Sequence, residues 1–230
     1  MGAQWKHAGR VEAGAKKGAL FTKLAKEIIV AAKSGDPNPE NNARLRAAVE
    51  AARKQSMTRD TIERAIKKGA GLLDPVHYDT VVYEGFAPHN VPVIVECLTD
   101  NKNRTASEIR VLFRKGQLGT QGSVQWMFDR KGVVEATHAG GMDMFEAAVE
   151  ANAADVEADE DMAVFTCDPA DLGTMTAALT ALGWVPSSSE IRWIPKTPVD
   201  LDEASRQEAV AFLQAIDDYD DVHRLYAGLA

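Results

Sequence analysis

The sequence predicts an α+β protein in which a basic helical head precedes small sandwiches of helix and sheet with ferredoxin-like character. Three observations carry this. Apolar residues recur at helical spacing between residues 20 and 68, whereas β-rich runs alternate with amphipathic stretches from residue 80 onward. Charge divides at the same place: residues 1–71 hold 15 Lys or Arg against 7 Asp or Glu, a net of +8, and residues 72–230 hold 11 against 27, a net of −16. Between the two lies Gly69-Ala70-Gly71 through Asp74-Pro75, the composition of a linker.

Residues 1–19 are rich in Gly, Ala and Lys. Gly2, Gly9, Gly14 and Gly18 oppose an isolated helix, so this stretch reads as a flexible basic arm that orders on a partner. Leu20, Leu24 and Ile28, with Phe21 and Ala31 beside them, then mark a helix closed by Ser34-Gly35-Asp36-Pro37. A second helix is expected over 42–55 around Leu45, Ala48, Val49 and Ala52. A third is expected over 58–68, with Gly69 as its C′ stop. Arg64, Lys67 and Lys68 stand at i, i+3 and i+4 and share a face. Opposition to the helix dipole accounts for Lys67 and Lys68, but not for Arg59 or the earlier lysines.

Beyond the linker, strands are expected at 80–86 and 91–99, then a helix over 105–115. Strands at 123–129 and 132–137 follow, joined by a tight turn at Lys131-Gly132. A second set runs helix to Asn152, strands at 155–158 and 162–167, helix 170–182 and strand 190–195, with Ser187-Ser188-Ser189 as loop. Helix 202–217 and a short strand at 222–227 complete the pattern.

The motifs exclude more than they assign. Cys97 and Cys167 lie in apolar runs and read as buried free thiols, without CxxC or zinc spacing. The five histidines are scattered, and Asp217, Asp218, Asp220 and Asp221 lack the glycine and final glutamate of an EF-hand. No nucleophile, base and oxyanion donor stand at readable spacing. The expectation is therefore no catalytic residue, no metal, no cofactor and no small-molecule substrate. The start MGAQWKHAGR has no hydrophobic signal core and no run reaches membrane-spanning length, so a cytoplasmic protein without membrane contact is expected.

Two loops need weighing. Thr105-Ala106-Ser107-Glu108 fits a capping box, leaving Asn101, Lys102, Asn103 and Arg104 on an exposed loop at a helix N-terminus, a setting suited to phosphate. Gly116 to Gly122 is glycine-rich but lacks a P-loop ending. It resembles the GXXG loop of KH domains only in its GQLG core, and a helix-to-strand turn explains it better. Tyr83, Phe86, Trp126 and Phe128 read as strand residues, for which core packing is the default and base stacking would require exposure.

The segments GALFTKLAKEIIVAAKSG, NNARLRAAVEAARKQSM, IERAIKKGAG, YEGFAPHNVPVIVECLTDNKNRT and GSVQWMFDRKG resemble, in order, those of the YebC/PmpR family, which has mitochondrial relatives that activate translation. The resemblance is strong to about residue 135 and weaker beyond. It implies three domains: a basic helical domain with a flexible arm at 1–73, a middle α/β domain at 77–137 plus about 200–230, and an inserted α/β domain at 138–199. It also implies a non-enzymatic DNA-binding transcriptional regulator, or a translation factor that relieves ribosomes stalled on proline-rich stretches. The chain departs from the family at its opening, Gly2-Ala3-Gln4-Trp5-Lys6, at the thinned basic run Lys16-Lys17-Gly18, and at Lys115-Gly116-Gln117-Leu118-Gly119.

Residues and resemblance together lead to a nucleic-acid-binding regulator of gene expression. The expected contacts are Lys6, Arg10, Lys16, Lys17, Lys23 and Lys26, then Arg59, Arg64, Lys67 and Lys68, with Lys102 and Arg104 adding a second contact from the middle domain. The target is DNA, or ribosomal or transfer RNA. The alternative from another class is a protein-interaction adaptor whose acidic body docks a protein partner.

Overall fold

The computed structural model describes residues 15–73, 77–140, 142–159 and 162–230. Two compact units emerge among them. One gathers the chain up to Met127 together with Thr197–Ala230; the other is Phe128–Lys196.

The head consists of α1 (Ala15–Ser34), α2 (Ala43–Lys54) and α3 (Arg59–Gly69). Asn42 and Thr58 cap α2 and α3 by accepting from the backbone N–H of Leu45 and Thr61. Ile28, Ala31, Leu45, Val49, Ala52, Ile62 and Ala65 form the buried seam, as their helical spacing predicts. Two expectations need correction here. The backbone is helical from Ala15, so Lys16 and Lys17 belong to the first turns of α1 and not to an arm. The stop of α3 is Gly71, at φ +73°, where Gly71 N–H donates to Lys68 and Leu72 N–H to Lys67. Gly69 stays inside α3 for another reason. A Cβ there would stand 2.4 Å from the Ile29 carbonyl oxygen, so glycine lets α3 touch the backbone of α1.

In chain order the next elements are β1 (Asp79–Ala87), β2 (Val91–Thr99), α4 (Lys102–Leu112), β3 (Gln117–Leu118), β4 (Phe128–Thr137) and α5 (Met144–Glu150). They are followed by β5 (Asp155–Asp159), β6 (Met162–Cys167), α6 (Leu172–Ala181), β7 (Val185–Pro195), α7 (Glu203–Asp217) and β8 (Val222–Ala227). One antiparallel sheet has the order β3-β1-β2-β8. Ile109 of α4 and Phe212, Leu213 and Ile216 of α7 close its core against Val93, Val95 and Cys97. Phe113 and Phe212 meet edge to face at 5.3 Å.

The second sheet, β5-β6-β4-β7, is also antiparallel. Its elements follow β4-α5-β5-β6-α6-β7, a ferredoxin-like βαββαβ unit. The core centres on Phe165, Met175, Leu179 and Trp184. The turn expected at Lys131-Gly132 is absent: β4 runs unbroken through it, paired to β6 and β7. Gly132 serves close approach, since a Cβ would lie 2.8 Å from Cys167 Sγ. Because β4 pairs only within this sheet, residues 128–137 leave the middle domain, and 128–196 replaces the expected 138–199. Ser187-Ser188-Ser189, read as loop, lies inside β7.

Candidate nucleic-acid interface

The head lysines divide by what they touch. Lys26 is 8% exposed. Its ammonium lies 2.7 Å from Asp221 Oδ1 and donates to the carbonyls of Asp220 (2.9 Å) and Leu98 (3.3 Å). It also stands 5.6 Å from the Tyr78 ring centroid. Lys23 donates to the Asp217 carbonyl and pairs with its carboxylate at 3.5 Å. Both lysines, expected at the nucleic-acid surface, are instead consumed in holding α1 to the C-terminal segment. That is a correction with a simple cause: the acidic turn after α7 supplies the anions they meet.

Asp221 is the centre of this arrangement. Its Oδ2 accepts from Arg104 (2.9 Å), Thr105 (2.8 Å) and Tyr219 (3.0 Å). Burial alone would raise the Asp221 carboxyl, but the hydrogen bonds from Lys26, Arg104 and Thr105 outweigh it and hold the group well below the usual carboxylate range. Glu27 forms a second tie, 2.8 Å from Arg44 Nε and 2.9 Å from His223 Nε2. There too burial raises the carboxyl, while His223 and Arg44 more than reverse it. Burial, with Asp221 nearby, pushes the Cys97 thiol up to about 12, which makes it inert.

The expected capping box at Thr105 is also corrected. Asn101 caps α4 by accepting from Arg104 N–H, and Thr105 is buried within the helix with its hydroxyl on Asp221. Arg104 pairs with Asp100 as well as Asp221, and Lys102 pairs with Asp79 at 3.3 Å. Arg104 is thus held within the chain by the buried Asp221, whereas the Lys102 pair is exposed on both sides and leaves that lysine exchangeable.

What stays outward lies on α2 and α3. Arg53, Arg64, Lys67 and Lys68 make no ion pair among the described residues, and Arg53, Arg64 and Lys67 are exposed. Arg59 is 89% exposed and pairs with Glu63 one turn on, an exposed i,i+4 pair that is easily exchanged. Arg53 and Arg59 share the wall of a cleft of about 500 Å³ between α2 and α3, floored by Val49, Met57, Ile62 and Ile66. The side chains of Lys16 and Lys17, and the whole of Lys6 and Arg10, lie outside the described residues. Arg53 was missed from sequence. Its signal was available, because it is the exposed cation in the last turn of α2 that faces Arg59.

A second feature escaped the sequence altogether. Glu84, 2% exposed in the middle of β1, has no cationic partner among the described residues. It accepts instead from the backbone N–H groups of Gly122 (2.7 Å), Val124 (3.0 Å) and Gln125 (3.1 Å), and from Gln125 Nε2 (2.9 Å). Its own carbonyl receives Gly119 N–H. The glycine-rich loop is thereby clamped to the sheet, and Trp126 at its end is 67% exposed. Trp126 was expected in a strand core; it sits in a short 3-10 turn facing solvent. Among the described residues there is no cluster suited to a metal, and no helix long and apolar enough to cross a membrane.

Comparison with known proteins gives a consistent picture. The model for the TACO1/YebC protein N-terminal domain matches residues 3–72, and that for the TACO1/YebC second and third domain matches 78–229. A Polaromonas protein named as a probable transcriptional regulatory protein is 52% identical, with both chains covered in full. One of the same description from Pseudomonas syringae pv. tomato is 53% identical, again over both full chains. The crystal structure of a conserved hypothetical protein from Aquifex aeolicus superimposes with a TM-score of 0.83 at 40% identity, covering 97% of this chain and 96% of that one. Two domain models in sequence order and full-length relatives at this identity place the chain in the TACO1/YebC family.

Proposed function

We propose that this protein is a non-enzymatic, DNA-binding transcriptional regulator that works in the cytoplasm and grips the phosphate backbone through Arg53, Arg64, Lys67 and Lys68. Arg59 joins them by exchanging Glu63 for phosphate, and Lys6, Arg10, Lys16 and Lys17 extend the contact toward the N-terminus. The carrying observation is position: Arg53, Arg64, Lys67 and Lys68, which make no ion pair among the described residues, lie together on α2 and α3 within the +8 head of a chain of net charge −8. The names of the relatives support a regulatory role. A body of net −16 repels polyanion over most of its surface, so the head carries the main phosphate contact.

Phosphate contacts of this kind supply affinity and register, not sequence choice. The exposed residues of α3 are Arg59, Asp60, Thr61, Arg64 and Lys67, with no Asn or Gln to read an adenine edge. That observation favours a second reading, in which ribosomal or transfer RNA is held by shape and the protein acts in translation. Ultraviolet crosslinking in cells, followed by sequencing of the attached nucleic acid, separates the two. Promoter DNA supports the transcriptional reading, and ribosomal or transfer RNA replaces it. A nuclease-resistant protein partner with no crosslinked nucleic acid would overturn both in favour of an adaptor.

A further inference from the structure

We infer that Trp126 is a stacking platform for an unpaired nucleobase, so that the nucleic acid engaged includes a single-stranded or looped segment. The inference rests on the nucleic-acid reading above and narrows its ligand. Three features of the loop carry it.

The first is exposure against chemistry. Trp126 is one of several exposed large hydrophobics, but among them it has the largest aromatic face, 67% open to water, and a large aromatic gains most by burial against a partner. The second is how the ring is held. Its Nε1–H donates to the Ser123 carbonyl at 3.0 Å, so the polar edge is already satisfied within the loop. What remains to a partner is the π face, which recognises a base by stacking and tolerates any sequence. The third is rigidity. A carboxylate buried without a cation is expensive unless its oxygens are filled, and Glu84 fills them with three backbone N–H groups and one amide of this loop. Gly122, at φ +85° with open space where its Cβ would be, makes the turn, and the indole is therefore ordered before any ligand arrives.

The segment that leads into this loop also carries charge. Arg114 and Lys115 are exposed, make no ion pair among the described residues, and lead directly into β3, the edge strand from which the loop departs. Aromatic stacking beside backbone-tracking cations is the pairing that holds single strands.

The test compares wild type with Trp126→Ala and Trp126→Phe, titrating two kinds of probe, labelled single strands of about a dozen nucleotides and the matching duplexes, each as DNA and as RNA. An exposed side chain can be replaced without unfolding the protein, which circular dichroism would verify. The expected result is about a five- to hundredfold loss of single-strand affinity for Trp126→Ala, with Trp126→Phe retaining most of it. Duplex affinity should stay unchanged, and single-strand binding should quench indole emission in wild type more than in Trp126→Ala. Equal single-strand affinity of wild type and Trp126→Ala overturns the platform and leaves the cationic head intact. An equal loss on the duplex also overturns it. Failure of wild type to bind either probe overturns the nucleic-acid reading and the platform together.

Discussion

Replacing Asp221 by Asn should cost roughly 3 kcal/mol of stability, near the lower end of what removing one partner of a buried ion pair costs. The side chain of Asp221 is 4% exposed and that of Lys26 is 10% exposed, so neither can turn to water. An amide keeps one oxygen as acceptor for Arg104, Thr105 and Tyr219, but it puts an uncharged N–H donor toward the Lys26 ammonium where Oδ1 had accepted. Lys26 would keep the carbonyls of Leu98 and Asp220, which is why the figure stays low in the range. Chemical denaturation gives the energy directly, and thermal melting should move down by about 6–12 °C for a chain of this size. The pH dependence gives a second reading. The folded carboxyl is depressed, so its stabilisation is present above the unfolded value of about 4 and is lost as pH falls through the folded value. The gap between wild type and Asp221→Asn should therefore be constant at neutral pH and shrink below about pH 4. Lys26→Met combined with Asp221→Asn should cost less than the two single changes added, by about 1–3 kcal/mol. Strict additivity, or a single-variant cost under about 1 kcal/mol, would refute the latch.

Other positions give predictions of definite sign. Ser56 ends α2 at φ +63°, with Ser56 N–H on Arg53 and Met57 N–H on Ala52, so Ser56→Gly should stabilise by about 0.5–1 kcal/mol in urea denaturation. Gly69→Ala should destabilise by about 1–3 kcal/mol despite better helix propensity, because its Cβ meets the Ile29 carbonyl. Gly173→Ala in α6 meets nothing within 4 Å and should be neutral or stabilising in the same assay. Duplex DNA binding should lose affinity with salt at a log–log slope of about −4 if Arg53, Arg64, Lys67 and Lys68 act alone, and about −7 if Lys6, Arg10, Lys16 and Lys17 join. Neutralising Arg64, Lys67 and Lys68 should flatten that slope by about 3, and an unchanged slope would remove this face from the interface.

The head was the most legible part of the sequence because its signals are local. Leu45, Val49 and Ala52 repeat within one helix, and Asn42 and Thr58 cap within three residues. The errors arose where a partner is distant in sequence. Thr105 fits a capping box with Glu108, yet its hydroxyl is drawn to Asp221, 116 residues on. Gly132 reads as a turn only until Cys167 is seen to lie across it. Glu84 gave no signal, since a carboxylate inside TVVYEGF announces neither its burial nor a loop 38 to 41 residues away.

The same distance explains which basic residues carry a testable function. A lysine in sequence is only a charge; its partner decides whether the charge is spent. Lys23 and Lys26 share α1 with an apolar stripe, and that stripe lets the helix lie against the middle domain, which brings Asp217 and Asp221 within reach. Cations near a buried seam are thus the ones most exposed to internal capture. On α2 and α3, Arg53, Arg64 and Lys67 are exposed while their neighbours Ala52, Ile62 and Ala65 form the seam. Glu63, one turn before Lys67, is itself engaged by Arg59. Of the +8 borne by the head, the portion available to a polyanion is therefore the part that folding cannot neutralise. On that argument, neutralising Lys23 or Lys26 should weaken the fold, and neutralising Arg64 or Lys67 should weaken binding. Separate stability and affinity measurements on the same four variants would expose any crossing of the two effects.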